Sequence, residues 1–268
     1  MIVLITGASG GLGVVLGKTL LDKGMTVYGT MRKPQGQEDS YPFTMLPMEV
    51  NDDTSVAACI DEVIKREGKL DVVINCVNTM IIGAVEETTV AEVEELYRIN
   101  VFGVMRICKA VIPQMKKQGG GTVINMSSLG GLLAVPLMSS YTSAKFALEA
   151  FSEALYHELK PHGIDVVIMQ PVAMNMDRPA TGHHLQLASE VTENSLSHRM
   201  LKRMVKDTAA SKLTPEIVSE KIYSLLTSER KPLRVPMDKA KAVTLLKRFA
   251  PQAMINKLVD GLVSSTPK

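Results

Sequence analysis

The stretch Ile2-Val3-Leu4-Ile5-Thr6-Gly7-Ala8-Ser9-Gly10-Gly11-Leu12-Gly13 decides how the amino terminus folds. Its first residues form a short apolar run, which is typical of a buried strand. Glycines then allow a tight turn and a close approach of the backbone to a phosphate, and the helix that follows offers N–H groups to the anion. This order predicts a dinucleotide site formed by Gly7, Ser9, Gly10, Gly11, Leu12 and Gly13.

Two glycine spacings fit this loop at once. Gly7, Gly11 and Gly13 make G-x-x-x-G-x-G, whereas Gly7, Gly10 and Gly13 make G-x-x-G-x-x-G. The loop by itself is therefore compatible with a short oxidoreductase and with a nucleotide-sugar epimerase on the same scaffold.

Short β-branched runs alternate with longer amphipathic segments along the chain. Most of the short runs are apolar on consecutive residues, which is typical of strands buried on both faces of a parallel sheet. The alternation predicts an α/β fold, a doubly wound Rossmann-type parallel sheet of seven strands with helices on both faces. The predicted strands are Ile2–Ile5, Thr26–Tyr28, Phe43–Leu46, Asp71–Asn75, Thr122–Met126, Asp165–Met169 and Leu233–Val235.

Four helices are predicted from apolar spacings of three and four residues. They are Leu12–Lys23, Thr54–Arg66, Val90–Lys117 and Ala144–Leu159. A polar, His- and Ser-rich stretch, helical near its end, separates the last apolar strands, and we predict a substrate lid over about residues 175–213. Neither a linker nor a repeat divides the sequence, so we expect one domain over residues 1–268.

Composition excludes several classes of protein. Hydrophobic residues make up 46% of the chain and the formal net charge is +2 without a long charged run, which predicts neither nucleic-acid binding nor attraction to a charged membrane surface. The first residues do not form a signal peptide, and no apolar run is long enough for a transmembrane segment. Cys59, Cys76 and Cys108 are scattered, so we expect reduced thiols in a cytoplasmic protein and no metal site.

The end of the second predicted strand bears on the choice of dinucleotide. Met31 stands where a carboxylate would bind the ribose 2′-hydroxyl of NAD, and Arg32 and Lys33 follow it. An arginine offers a planar fork that suits phosphate oxygens. We therefore predict NADP(H), bound at its 2′-phosphate by Arg32 and Lys33, against the alternative of a solvated loop arginine.

Tyr141 and Lys145 lie four residues apart, so their side chains share one helical face. A free phenol has a pKa near ~10, and a nearby ammonium with a positively charged nicotinamide would lower it toward neutral pH. Ser128 follows the strand Thr122–Met126, where its hydroxyl could hydrogen-bond a substrate carbonyl oxygen. The alternative is a surface tyrosine beside a solvated lysine. The presence of the glycine loop and Ser128 in the same sequence favours the catalytic interpretation.

Over roughly its whole length the sequence resembles the short-chain dehydrogenases/reductases in their short, single-domain form. The stretch Tyr141–Leu155 is most similar to the 17β-hydroxysteroid and retinol dehydrogenase branch. The resemblance implies NADPH-dependent reduction of a ketone, or the reverse oxidation, with Tyr141 as general acid or base, Lys145 at the nicotinamide ribose and Ser128 on the carbonyl. It identifies Asn100 as the fourth catalytic residue, which helps hold a water between Lys145 and bulk solvent.

The resemblance also resolves the glycine ambiguity. Sugar epimerases usually carry a substantial C-terminal substrate domain, whereas only 123 residues follow Lys145 here (268 − 145). Members of the family commonly form homodimers or homotetramers through helices equivalent to Val90–Lys117 and Ala144–Leu159. We therefore expect a homo-oligomer of this chain.

The remaining cofactor contacts follow from the resemblance, with departures from the family pattern. The sequence Asn75-Cys76-Val77-Asn78 replaces N-N-A-G, Val172 replaces the glycine of P-G, and Met176 replaces the usual threonine at the nicotinamide amide. These departures keep open a nucleotide-binding sensor or scaffold with little turnover, and an epimerase or dehydratase. The implied contacts are Glu49 and Val50 near the adenine, Asn75, Cys76 and Val77 after the fourth strand, and Pro171, Val172 and Met174 near the nicotinamide.

Methionines are frequent in the predicted lid. Their flexible, polarizable side chains suit apolar surfaces that adapt to bulky ligands. We predict that Met176, Met200 and Met204 join Ser128 and Tyr141 around a small hydrophobic carbonyl or alcohol substrate such as a steroid, a polyketide-like ring or a retinoid. The alternative is that these methionines are core contacts of an amphipathic helix.

Overall fold

A computed structural model of the chain describes residues 1–34, 36, 40–175 and 185–264. The strands within these residues are β1 (Ile2–Thr6), β2 (Thr26–Met31), β3 (Thr44–Pro47), β4 (Val72–Asn75), β5 (Met80–Ile82), β6 (Gly121–Met126), β7 (Ile164–Gln170), β8 (Leu185–Leu187) and β9 (Arg234–Pro236). The helices are α1 (Gly11–Asp22), α2 (Asp53–Glu67), α3 (Val90–Tyr97), α4 (Val104–Lys117), α5 (Ser139–Leu159), α6 (Leu196–Ala209), α7 (Pro215–Leu226), α8 (Lys239–Phe249) and α9 (Gln252–Ser264).

Seven strands form one parallel sheet in the order β3-β2-β1-β4-β6-β7-β9, which confirms the predicted doubly wound fold. The strand order reverses between β1 and β4, and such a reversal opens a crevice at the carboxyl ends of the strands. Thr6 is paired with Asn75, and Asn75 with Asn125. The glycine turn and the segments that follow β4 and β6 therefore leave the sheet side by side.

Successive residues of the central strands contribute to two different apolar layers, because side chains alternate between the faces of a sheet. Leu4 and Val73 pack in the layer that contains α2, α4 and α5. Val3 and Val72 pack in the layer that contains α1 and α7. Both faces are covered, which explains why the strands are apolar on consecutive residues.

Two predicted helices differ from the structure. The segment Val90–Lys117 is interrupted by a π-helical turn over Arg98–Gly103, where a Cβ on Gly103 would come within 3.1 Å of the Val50 side chain. The second helix begins at Ser139, whereas the apolar pattern predicts a start at Ala144. The first turn contains serines, which favour helix starts but add no apolar residue to the pattern. Tyr141 thus lies inside α5.

The predicted lid, residues 175–213, closes on itself at its base. The Asn175 N–H donates to the Leu213 carbonyl at 2.8 Å, so the two ends of the segment meet. Between them, β8 pairs in parallel with β5 to form a separate two-stranded sheet, and α6 follows. The predicted substrate residue Met176 falls in residues 176–184, outside the described residues. No helix of the described chain is long and apolar enough to cross a membrane.

Candidate active site

The glycine loop is shaped to hold an anion. Gly7 has φ +66°, and a Cβ there would lie 2.9 Å from Val77 Cα; a Cβ on Gly13 would lie 2.6 Å from Ala8 Cα. Among the described residues no side chain caps α1 at Gly10, so the first N–H groups of the helix remain available to a phosphate. Ser9 and Leu12 lie in this same turn and first helical residues.

Backbone hydrogen bonds hold the loop against its neighbours. The Ala8 N–H donates to Thr30 O at 2.9 Å, and the Val77 N–H donates to Thr6 Oγ1 at 3.4 Å. These bonds bring the end of β2 and the segment after β4 to the loop. Arg32 and Lys33 follow β2, are exposed, and form no ion pair with the described part of the chain.

Several residues that are predicted to contact the cofactor form hydrogen bonds or packing contacts within the chain. Glu49 Oε1 accepts from the Asn51 N–H at 3.1 Å, and Val50 is buried in the core. Asn75 Nδ2 donates to Asn125 Oδ1 at 2.8 Å, deep in the sheet. The Pro171 carbonyl accepts from the Leu129 N–H at 2.9 Å, which joins the end of β7 to the turn that carries Ser128. Val172 and Met174 are partly buried against the sheet core.

Ser128, Tyr141 and Lys145 come together at the carboxyl edge of the sheet, as the sequence predicts. The Lys145 ammonium donates to the Met126 carbonyl at 2.9 Å and lies 5.6 Å from the Tyr141 ring centroid. A hydrogen bond joins the Ser128 and Tyr141 side chains. Ser128 Oγ also accepts from the Gly130 N–H at 3.1 Å, which orients the serine.

Burial shifts the proton affinities of this group. It lowers the pKa of Lys145 to about 8, against smaller opposing effects of Cys76 and Glu149. It raises the pKa of Tyr141, although the hydrogen bond with Ser128 acts the other way. The lowered phenol pKa that the sequence predicts involves a bound nicotinamide; in the chain alone desolvation outweighs the hydrogen bond with Ser128, and the pKa of Tyr141 is raised. Burial likewise raises the pKa of Cys76 to about 12, so its thiol stays neutral.

Asn100 lies buried in the π-helical turn Arg98–Gly103. Its Nδ2 donates to the Thr79 carbonyl at 2.7 Å, and its Oδ1 accepts from the Thr79 N–H at 2.8 Å. The amide thereby fixes the chain just before β5. In the described structure Asn100 thus anchors the segment after β4.

An apolar cluster surrounds Tyr141 and reaches into the predicted lid. It includes Leu96 of α3, Met138 before α5 and Met200 of α6. Met200 is buried, whereas Met204 is only partly buried against the cluster. The structure therefore brings both methionines toward Tyr141, with Met200 as a core contact and Met204 closer to the surface.

Sequence reasoning missed a buried polar network beneath this site. Glu149 Oε1 accepts from Gln170 Nε2 at 2.9 Å, and Glu149 Oε2 accepts from Arg234 Nε at 3.0 Å. Arg234 also binds Glu153, at 2.6 Å. The signal available in the sequence was the spacing of Glu149, four residues after Lys145 and on the same helical face.

Comparison with known proteins places this architecture in a family. The profile of the short chain dehydrogenases matches residues 1–182. A 3-ketodihydrosphingosine reductase of Bacteroides thetaiotaomicron is 41% identical over 174 residues, which cover 65% of this chain and 64% of that protein. An uncharacterized oxidoreductase of Bacillus subtilis is 31% identical over 263 residues, 92% of each chain.

A solved structure agrees over almost the whole length. The short-chain dehydrogenase from Streptomyces avermitilis superposes with a TM-score of 0.83 at 29% identity, covering 96% of both chains. The fold, the family profile and the full-length relative lead to the same assignment. The chain is a member of the short chain dehydrogenase family and an oxidoreductase.

Proposed function

We propose that the protein reduces a bulky hydrophobic ketone to an alcohol, or catalyses the reverse oxidation, with NADP(H). The observation that carries this proposal is the group formed by buried Tyr141 and Lys145 with partly exposed Ser128, beside an apolar cluster. The phenol with its raised pKa is protonated at neutral pH, so Tyr141 carries the proton that the carbonyl oxygen would take.

The residues of the site divide the chemistry among them. The Ser128 hydroxyl hydrogen-bonds the carbonyl oxygen, and Tyr141 gives that oxygen a proton from its hydroxyl. Lys145 has one N–H bound to Met126, which leaves two for the nicotinamide ribose. Asn100 supports the proton relay through the segment it anchors.

The cofactor fits the residues present. Gly7 and Gly13 let the turn pack tightly against Val77 and Ala8, where a Cβ would clash, and the uncapped start of α1 offers N–H groups to the pyrophosphate. Arg32 and Lys33 are exposed cations at the position that distinguishes a 2′-phosphate from a 2′-hydroxyl. When bound, NADPH would supply the hydride for the carbonyl carbon.

Two observations support a hydrophobic substrate. The relative from Bacteroides thetaiotaomicron is, by its name, a reductase of a keto group on dihydrosphingosine. Met200 and Met204 of α6 belong to the apolar surroundings of Tyr141. We therefore assign the site to a large apolar ketone or alcohol, covered by the lid segment.

NADPH oxidation with alkyl ketones of increasing length tests the proposal. Each buried methylene contributes about 0.8 kcal/mol, so kcat/KM should rise about fourfold per methylene until the site is filled. A flat series, with best activity on a small hydroxy acid or sugar, would contradict the substrate class.

Tyr141→Phe tests whether Tyr141 is the proton donor. The phenyl ring keeps the packing but has no proton to give, so turnover should disappear while NADPH binding, followed by fluorescence, persists. Retention of more than about a tenth of the wild-type kcat would rule out Tyr141 as the proton donor.

A further inference from the structure

The helices α8 and α9, joined by a short turn and called here the hairpin, line a groove together with the active-site helix α5, and the side that lines it is the inner side. Ala240 of α8 and Ile255 of α9 are buried. Ile255 shares a groove with Leu133, which follows the Ser128 turn, and with Phe146 of α5. The hairpin is therefore seated beside the substrate side of the molecule.

The outer side of the hairpin exposes large apolar side chains. Leu245 and Phe249 of α8 are 61% and 75% exposed, and Met254 and Leu258 of α9 are 57% and 47% exposed. Each pair is spaced by four residues, so each forms a stripe along its helix. Phe249 ends α8 and Met254 lies in the first turn of α9, so the stripes approach each other at the corner.

Cations accompany these stripes. Residues 239–260 contain five basic residues and one acidic residue, although the whole chain has a net charge of only +2. The Arg248 guanidinium lies 5.5 Å from the Phe249 ring centroid. In the described chain none of the five cations, Lys239, Lys241, Lys247, Arg248 and Lys257, forms an ion pair. Lys247 lies 5.2 Å from the Phe146 ring centroid in the inner groove, so the proposal rests on the other four.

We propose that this hairpin docks on the surface of an anionic lipid bilayer. The exposed apolar side chains would enter the headgroup region, and the cations would meet the lipid phosphates. A second copy of the chain fits less well, because a two-fold contact through this face would oppose the same cations. The net charge of the whole chain does not indicate this membrane surface, because acidic residues elsewhere in the chain offset the local excess of basic residues. The inference does not depend on the proposed reaction.

Co-sedimentation with lipid vesicles tests the proposal. The protein should pellet with vesicles of phosphatidylcholine and phosphatidylglycerol, pellet much less with phosphatidylcholine alone, and be released by high salt. Phe249→Ser should weaken binding to the anionic vesicles roughly tenfold or more, because a buried aromatic contributes that much. Ile217→Ser, at another exposed apolar residue (48% exposed), should leave binding unchanged.

Paired charge variants complete the test. Lys241→Gln with Arg248→Gln should reduce binding to anionic vesicles while circular dichroism and the thermal midpoint stay as in wild type. Absence of wild-type binding to anionic vesicles, or equal effects of Phe249→Ser and Ile217→Ser, would overturn the proposal. So would a smaller assembly of Phe249→Ser in light scattering without lipid, which would make the face a subunit contact.

Discussion

Burial changes the pKa values of two neighbouring residues, Tyr141 and Lys145. It raises the pKa of the phenol and lowers that of the ammonium, and both shifts favour the neutral form. The Ser128 hydroxyl hydrogen-bonds the phenol, and the Met126 carbonyl accepts from the ammonium. A protonated phenol and a weakened cation thus arise from desolvation, against the opposing effect of the Ser128 hydrogen bond on Tyr141.

The pKa of Lys145 predicts a pH dependence of stability. Between about 8, its value in the folded chain, and the ordinary 10.5, the unfolded chain binds more protons at this site, so the contribution of Lys145 to the free energy of unfolding should rise with pH. The buried thiols of Cys59, Cys76 and Cys108, with pKa values of about 12, act the other way above their ordinary 9.0.

Urea unfolding of wild type and Lys145→Met separates these contributions. The Cys59 and Cys108 thiols are common to both proteins and cancel in the difference, and Cys76→Ala in both backgrounds removes the thiol that is coupled to Lys145. We expect the stability of wild type relative to Lys145→Met to increase from pH 8 toward 10.5. A difference that stays constant, or falls, over this range would contradict the lowered pKa.

Arg32 predicts the cofactor preference. In Met31→Asp/Arg32→Ala the KM for NADPH should rise at least tenfold, since a charge-assisted hydrogen bond to phosphate contributes about 1.5–3 kcal/mol. The KM for NADH should fall, because a carboxylate accepts from the ribose 2′-hydroxyl. Arg230→Ala, an exposed arginine before β9 at the opposite edge of the sheet, serves as control. A wild-type enzyme that already prefers NADH would refute the assignment.

Helix α5 connects the candidate active site to the sheet. Tyr141, Lys145 and Glu149 follow one another at intervals of four residues, so the same face that presents the phenol also carries the buried carboxylate. Glu149 binds Gln170, the last residue of β7, and Arg234, the first residue of β9. These contacts fix the helix against the strand whose end leads to Pro171.

Glu149→Gln tests this anchoring. It removes the charge from a buried hydrogen-bonded pair, so stability should fall by about 1–3 kcal/mol. The KM for NADPH should rise as well, because β7 and α5 both lead to residues of the proposed cofactor site. Glu153→Gln changes the exposed partner of the same arginine and should cost no more than about 1 kcal/mol. The free energy of unfolding is measured with urea. Equal decreases in the two variants would show that the burial of Glu149 does not increase its contribution to stability.

In the described part of the molecule the seven-stranded sheet is covered on both faces, and helices α3 to α5 leave apolar residues on the outside. Val90 and Phe102 are exposed in the segment through which members of this family commonly assemble. This surface is separate from the α8–α9 hairpin in sequence. It is the natural place for a homodimer or homotetramer contact, which remains a proposal.

Light scattering at micromolar concentration tests the assembly. We expect a dimer or tetramer for wild type and a shift toward monomer for Phe102→Ser, since a central aromatic contact contributes about 2 kcal/mol or more to an interface. Ile217→Ser, on α7, should not change the mass. A wild-type monomer would count against the family expectation.

The sequence by itself determined the seven-stranded sheet, because strands buried on both faces require consecutive apolar residues wherever they fall in the chain. It also determined the glycine loop and the grouping of Ser128, Tyr141 and Lys145. Parallel strands end at one edge, and a spacing of four residues places two side chains on one helical face. These are local patterns, and local patterns can be read without knowing the packing.

Only the tertiary structure decided the rest. The pairing of Met80 with Leu185 and the bond from Arg234 to Glu149 join residues far apart in the chain, and three-residue strands carry no periodic signal. The π-helical turn at Asn100 lies where Gly103 packs against Val50, a contact between residues distant in the chain. The raised pKa of Tyr141 depends on how completely water is excluded. Desolvation and long-range contacts belong to the packed chain, which is why spacing along the sequence does not reveal them.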